Sequence, residues 1–232
     1  MKEFSSINWH GVQRSLDDRG FATVESLLAP EECESISALY EQTSLFRSTV
    51  NMQRYRFGAG EYKYFEYPLP DIIRELREFF YPALVPVANG WMEHLGLDLK
   101  YPGDLQTFLS LCGENGQKKP TPLVLRYETG CYNTLHQDIY GEIFFPFQVV
   151  VMLTQHKRDY DGGELVFVEQ LPRAQSRLEV LNPSLGDAVV FTTNFRPVKG
   201  LKGYYRARMK HGVSPVKRGL RFTTGIIFHD AK

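Results

Sequence analysis

The second half of the chain constrains the fold most. From Thr121 onward, short runs of Val, Ile, Phe and Thr alternate with Gly, Pro, Asn and Asp, and no helical periodicity separates them. The pattern predicts strands at Leu123–Tyr127, Asn133–Asp138, Phe147–Thr154, Glu164–Glu169, Asp187–Thr192, Ala207–Val213 and Arg221–Phe228. Turn residues fall between them: Asp161-Gly162-Gly163, Asn182-Pro183 with Gly186, and Arg218-Gly219. Many short strands without intervening helices point to a sandwich or barrel of the jelly-roll kind.

The first half reads differently. Pro30 followed by Glu31 and Glu32 opens a helix, since proline suits the first turn and acids suit the positive end of the helix dipole. Ile36, Leu39 and Tyr40 give it one apolar face. A second helix starts at Pro70-Asp71 and carries Ile72, Ile73, Leu76 and Phe79 at helical spacing. Pro82 and Pro86 are expected to break or kink it before Ala88–Leu95 resumes. A third spans Gly103–Cys112, closed by Gly113 and Gly116. The class is therefore α+β, with N-terminal helices packed on a jelly-roll core.

At 232 residues the chain suits one domain, or one core with an N-terminal helical annex. Hydrophobic residues at 43% and aromatics at 13% exclude disordered, collagen-like and disulfide-scaffold classes. No apolar run approaches the roughly 18 residues of a membrane helix, and the first residues are too polar for a signal peptide, so no membrane association and a cytoplasmic location are expected. Cys33, Cys112 and Cys131 are an odd count without metal-type spacing and read as structural thiols in a reducing compartment.

His136 and Asp138 stand two apart on a predicted strand, so both side chains leave one face and can share an ion. His211, from a distant strand, completes a 2-His-1-carboxylate set, which leaves coordination positions open for substrate and oxygen, as in non-haem iron(II) enzymes. Six histidines and 27 acids can produce one H-x-D triplet by chance, so the context carries the argument. Ten residues after His211, Arg221 and Thr223 put a guanidinium and a hydroxyl on one face of the last strand. Ile226, Ile227 and Phe228 make that strand look buried, and a buried cation without an anion is costly. A carboxylate ligand is the fitting partner for such a fork. His10, His94 and His156 sit in polar or helical settings, and His229 beside Asp230 reads as structural.

These residues, H-x-D, a distal His and R-x-T, resemble the Fe(II)/2-oxoglutarate-dependent dioxygenase superfamily, whose fold is a double-stranded β-helix. Tyr127-Glu128-Thr129-Gly130 lies nine residues before His136, as a tyrosine and a glycine do in AlkB-type demethylases and prolyl-hydroxylase-like members. The chain is most similar to a bacterial family of 2-oxoglutarate-Fe(II) oxygenases labelled oxidative demethylases of damaged DNA. That likeness runs from Arg56-Phe57-Gly58 and Gly60-Glu61-Tyr62-Lys63-Tyr64 through Tyr132-Asn133 to Gly225-Ile226-Ile227-Phe228-His229-Asp230. Leu125 stands where AlkB-type enzymes have Asn, and only one of their two closing-strand arginines, Arg221, has a counterpart.

The resemblance implies one oxygenase domain over 1–232, with 1–120 a mainly helical N-terminal part and 121–232 the catalytic core. It implies Fe(II) on His136, Asp138 and His211, with 2-oxoglutarate and O2 as cosubstrates. Arg221, Thr223 and Tyr127 would hold the far carboxylate of 2-oxoglutarate while a substrate C–H bond is oxidised and succinate and CO2 are released. Arg196, Lys199, Lys202, Arg206, Arg208, Lys210, Lys217 and Arg218, interleaved with Phe195, Tyr204 and Tyr205, admit a nucleic-acid substrate, or a merely solvated face in a chain of zero net charge. Gln170, Gln175, Ser176 and Arg177 read as a polar strip at the site mouth or as hairpin decoration, and Arg54, Arg56, Glu61 and Lys63 as part of a lid. Three competing readings stay open: a peptide or amino-acid hydroxylase with the same iron chemistry, a non-catalytic β-barrel binding module, and a zinc hydrolase that gives Arg221 and Thr223 no task.

Overall fold

The computed structural model describes residues Met1–Lys232. In chain order α1 (Trp9–Arg19), β1 (Phe21–Val24), α2 (Pro30–Ala38), β2 (Phe46–Asn51), β3 (Gly58–Ala59), β4 (Glu61–Phe65), α3 (Asp71–His94) and α4 (Leu105–Glu114) come first. Eleven strands follow with no helix among them. They are β5 (Leu123–Tyr127), β6 (Tyr132–His136), β7 (Phe147–Met152), β8 (Tyr160–Gly162), β9 (Leu165–Gln170), β10 (Arg177–Leu181), β11 (Ala188–Thr192), β12 (Phe195–Gly200), β13 (Gly203–Val213), β14 (Val216–Gly219) and β15 (Arg221–Ile227). Each of the seven expected strands is present, and β8, β10, β12 and β14 join them.

Two antiparallel sheets make the jelly roll. The larger runs β1-β11-β7-β15-β5-β4-β2 and the smaller β10-β9-β13-β6-β3, with β12 on β13; β8 and β14 form a short third ribbon. The N-terminal half is thus part of the sheets: β1 pairs with β11 (Phe21 opposite Phe191) and β4 pairs with β5 (Tyr62 opposite Leu125).

Side-chain alternation divides the larger sheet into two faces. Val149 and Val151 of β7 and Phe222 and Ile226 of β15 join the core that contains Leu76, Phe80, Leu84 and Trp91 of α3. Their neighbours Gln148 and Val150, and Arg221 and Thr223, line a cavity between the sheets instead. Interior hydrophobic clusters flank that cavity: Phe21, Phe167, Phe191 and Met209 in one, and Met52, Tyr127, Met152 and Tyr160 in another.

The long helix α3 does not break at its prolines. Pro82 and Pro86 both lie on its exposed face, so the carbonyls they leave without an N–H partner face water, and the buried face through Leu84, Val85 and Ala88 stays continuous. α1 starts with the Asn8 side chain accepting from the Gly11 N–H and ends at Gly20 in the left-handed region (φ 78°), whose N–H bonds the Leu16 carbonyl. No helix is long and apolar enough to cross a membrane.

A buried ion pair ties α3 to the end of β15. Arg77 donates through Nε to the Ile227 carbonyl (3.0 Å) and through Nη2 to the Phe228 carbonyl and Asp230 (both 2.7 Å). Its Nη1 donates to the Tyr67 hydroxyl, which in turn donates to Asp230 (2.9 Å). His229 beside it is buried and accepts from the Phe145 N–H through Nδ1, and burial pushes its pKa down to about 4. Removing one charge strands the other in a dry site. Arg77→Leu should cost about 3–5 kcal/mol in urea unfolding, and Arg77→Leu with Asp230→Leu should recover much of that. A loss under about 1 kcal/mol in the single variant would show the pair to be dispensable.

Candidate active site

The site begins with the pairing of β6 and β13. His136 stands directly opposite His211 in the antiparallel register, so both imidazoles leave the same face of the smaller sheet toward the cavity. Their ring centroids are 4.2 Å apart. The strand expected to reach Asp138 stops at His136, and Asp138 lies two residues on, in the following loop. Between them Gln137 turns the other way, its amide donating to the Asn194 and Met209 carbonyls at 2.8 Å. That anchor sends Asp138 back toward the histidines: Oδ2 is 3.1 Å from His211 Nε2 and Oδ1 is 3.5 Å from His136 Nε2. One donor atom from each of the three lies within 4.8 Å of the others, so the set can hold a metal ion.

Neighbours fix the orientation of each group. His136 Nδ1 is 2.7 Å from the Thr134 carbonyl, which makes Nδ1 the protonated nitrogen and leaves the Nε2 lone pair facing inward. Tyr140 donates its hydroxyl to Asp138 Oδ1 at 2.9 Å and receives that of Tyr64 at 3.1 Å. The Gln148 amide reaches His211 Nε2 at 3.4 Å. Burial opposes ionisation of Asp138, yet the His211 contact and the nearby His136 hold its carboxyl well below the usual carboxylate range. Burial, followed by the neighbouring His136, lowers the pKa of His211. A charged carboxylate and a neutral imidazole are the forms that bind metal. Tyr140 and Gln148 had no place in the sequence reading; the signal for Gln148 is a lone amide inside the apolar run Phe147–Met152.

The same cavity, about 230 Å³, is lined by His136, Asp138, His211, Tyr127, Arg221 and Thr223. Arg221 faces Tyr127 across the β15–β5 pair and is 1% exposed. Its Nε and Nη1 atoms are buried without any hydrogen-bond partner, and Nη2 donates to Met152 Sδ at 3.9 Å. The guanidinium lies 5.4 Å from the Tyr127 ring centroid and 5.9 Å from that of Tyr160. Such a cation calls for an anion inside the cavity, and a carboxylate carried on a small molecule fits both the fork and its setting. Asn133 donates to the Tyr127 hydroxyl at 3.4 Å, so that phenol also faces the site from a fixed position.

Other residues singled out in the sequence lie elsewhere. Lys63 is buried and donates to the Tyr40 carbonyl, and Glu61 accepts from the Tyr40 hydroxyl, so both belong to packing under β4. Arg54 and Arg56 are exposed. Arg196 is buried against Glu169 (2.6 Å) and the Asp17 carbonyl (2.8 Å). Arg206, Arg208 and Lys210 alternate with Ala207, Met209 and His211 on β13 and therefore project from the face opposite the cavity. Gln170 ends β9, Gln175 and Ser176 lie in the turn to β10, and Arg177 pairs with Glu179. All three cysteines are free. His94 stacks on Tyr204 at 4.1 Å, and His156 lies 3.6 Å from Asp161.

This geometry agrees with the known proteins the chain is similar to. The Oxygenase-NA family model, described as an oxygenase catalysing oxidative methylation of damaged DNA, matches residues 60–231. Two uncharacterized proteins of Mycobacterium tuberculosis, from strains CDC 1551 and H37Rv, are each 43% identical over 167 residues, covering 72% of this chain and 72% of theirs. Among solved structures, a prolyl hydroxylase from Trichoplax adhaerens superposes with a TM-score of 0.61 at 15% identity, covering 96% of this chain and 89% of that one. An oxidoreductase of the 2OG-Fe(II) oxygenase family from Burkholderia pseudomallei gives 0.56 at 16% identity, covering 97% and 93%. At those identities the likeness is one of fold. With three-quarters of its length matched, the chain belongs to the Oxygenase-NA family of oxygenases, and it carries its His-Asp-His triad and unpaired buried arginine on the fold of the 2-oxoglutarate-Fe(II) oxygenase structures.

Proposed function

We propose that His136, Asp138 and His211 hold the ferrous iron, that Arg221 with Thr223 and Tyr127 holds 2-oxoglutarate, and that the enzyme oxidises methyl groups on damaged nucleic acid. The observation that carries the cosubstrate reading is Arg221, whose buried Nε and Nη1 lack partners in the cavity lined by the triad. Ferrous iron supplies the redox chemistry by which one oxygen atom of O2 goes to 2-oxoglutarate, released as succinate and CO2, and the other to a substrate C–H bond. A methyl group on a ring nitrogen hydroxylated in this way leaves as formaldehyde and returns an N–H.

The chain's own residues do the positioning. The Thr134 carbonyl orients His136, and Tyr140 and Gln148 orient Asp138 and His211, so each side chain is aimed before a metal binds. Arg221 offers a planar two-toothed fork that a lysine cannot reproduce. The apolar walls formed by Leu125, Val150, Leu165 and Phe191 exclude water from the reacting centre. Nucleic acid as substrate class is supported by the family's description, which concerns damaged DNA. Three free thiols support a reducing, cytoplasmic location.

Turnover with iron and 2-oxoglutarate across N-methylated single-stranded DNA, RNA, peptides and free amino acids tests the substrate class. Succinate with formaldehyde from the methylated oligonucleotide is expected, whereas hydroxylation of peptides alone would transfer the chain to the peptide hydroxylases. His136→Ala or Asp138→Ala should reduce succinate release to background through loss of iron, and normal turnover in either would remove that residue from the metal. Arg221→Lys should raise the KM for 2-oxoglutarate by about 10- to 100-fold, as loss of a charged hydrogen-bonding fork does; an unchanged KM rejects its role. Tyr140→Phe should weaken iron binding by about 10-fold, read as the metal retained against a chelator series.

A further inference from the structure

Between β2 and β3 the chain makes one short 3-10 turn, Met52–Tyr55, and then leaves two aromatic rings in water. Tyr55 is 60% and Phe57 47% exposed, and they stack on each other at 5.6 Å with 19° between their planes. Phe57 also lines the cavity that contains His136, Asp138 and His211, so the stacked pair begins at the mouth of the iron site. Exposed aromatic surface beside a catalytic opening is a binding feature, since packing would have buried it.

The turn is held in place from several sides. Met52 is buried, its N–H donates to the Gly60 carbonyl (3.0 Å), and its carbonyl accepts from the Phe57 N–H (3.1 Å). The Phe57 carbonyl accepts from both the N–H and the hydroxyl of Thr134, at 2.9 and 2.8 Å, on the strand that ends in His136. Gly58 has φ 133°, and a Cβ there would lie 2.3 Å from the Tyr132 carbonyl oxygen, so only glycine lets the turn lie this close to β6. The rings are therefore presented at a set position relative to His136, which lowers the ordering cost of binding.

Charge completes the pattern. Arg54 and Arg56 alternate with Tyr55 and Phe57 and are exposed. Neither pairs with a carboxylate, unlike Arg74, Arg126, Arg158 and Arg177; exposed Arg14, Arg173, Arg206, Arg208 and Arg218 are also unpaired, but Arg54 and Arg56 are the ones interleaved with the two rings at the cavity mouth. Flat rings interleaved with uncompensated guanidinium groups suit a ligand made of flat rings on an anionic backbone. An apolar peptide side chain would use Phe57 and leave both arginines without an anion.

We infer that Arg54–Phe57 is a stacking platform for an unpaired base of single-stranded nucleic acid, with Arg54 and Arg56 on the adjoining phosphates. The inference rests on the nucleic-acid reading above and adds the residues that grip the strand beside the target base. The test is fluorescence anisotropy of the iron- and 2-oxoglutarate-loaded enzyme with a labelled single-stranded oligodeoxynucleotide carrying one N-methylated adenine. Tyr55→Ala with Phe57→Ala should raise Kd by at least about 5-fold, the low end for loss of one base stack, and Phe57→Trp should keep wild-type binding. Arg54→Gln with Arg56→Asn, the latter tolerated at φ 59°, should lower the slope of log Kd against log salt by about 1 to 2. Thermal unfolding midpoints within about 2 °C of wild type show that each variant folds. A wild-type Kd in the folded aromatic variant, while the wild-type enzyme still oxidises the oligonucleotide, overturns the platform and leaves the proposed function standing. A wild-type enzyme that neither binds nor oxidises the oligonucleotide but turns over a peptide overturns both.

Discussion

The register of β6 against β13 is the constraint on which the site depends. Because strand side chains alternate with a period of two, sliding one strand by a single residue would turn His136 or His211 out of the cavity and bring in a neighbour such as Leu135 or Lys210. The register is secured away from the triad, where the Gln137 amide reaches the Met209 and Asn194 carbonyls and β13 pairs with β9 from Arg208 to Val213. Interactions that involve no ligand atom thus decide where the ligand atoms go. The triad can be assembled before any ion arrives, and binding then costs little reorganisation.

The second half of the site follows from the larger sheet in the same way. β15 sends Phe222 and Ile226 into the helix-covered core, Phe222 against Tyr40, and Arg221 and Thr223 toward the triad. One strand therefore joins the helical core to the end of the cavity where the unpaired Arg221 guanidinium lies. Arg77, anchored to the carbonyls of Ile227 and Phe228, holds the far end of that strand. The aromatic faces of Tyr127 and Tyr160 tolerate the Arg221 charge without neutralising it, so the guanidinium keeps its capacity for a carboxylate.

The legible parts of the fold are those where local pattern and tertiary environment agree. The seven strands that stood out carry β-branched and aromatic residues between clear turn signals. β2 (Phe46–Asn51) on an edge of the larger sheet and β10 on an edge of the smaller one, with Leu178 and Val180 exposed, lack the burial of a core strand, while β4 (Glu61–Phe65) interleaves Glu61 and Lys63 with its aromatics, so none of the three has a clean apolar strand pattern. α1 escaped because Trp9, Val12 and Leu16 are thinly spread among polar residues, although Asn8 and Gly20 mark both its ends. Within the site, His136, Asp138, His211, Arg221 and Thr223 are legible as spaced residues on strands, and Tyr127 through the family resemblance. Tyr140 and Gln148 are not, since each acts by reaching another residue's side chain across the fold and no fixed spacing encodes that approach. The basic run Arg196–Arg218 shows the converse: composition displays the charges, but only strand alternation reveals that Arg206, Arg208 and Lys210 face away from the cavity.

The sheet order has a consequence for how such a chain is made. β1 waits for β11, β4 for β5 and β5 for β15, while Arg77 finds its acid 153 positions further along the sequence. Few of these contacts are local, so a growing chain emerging from the ribosome exposes unpaired strand edges and the apolar face of α3 until the region around Asp230 has been synthesised. Closure then comes late and all at once, with the final strand supplying the arginine of the cavity as it completes the sheet.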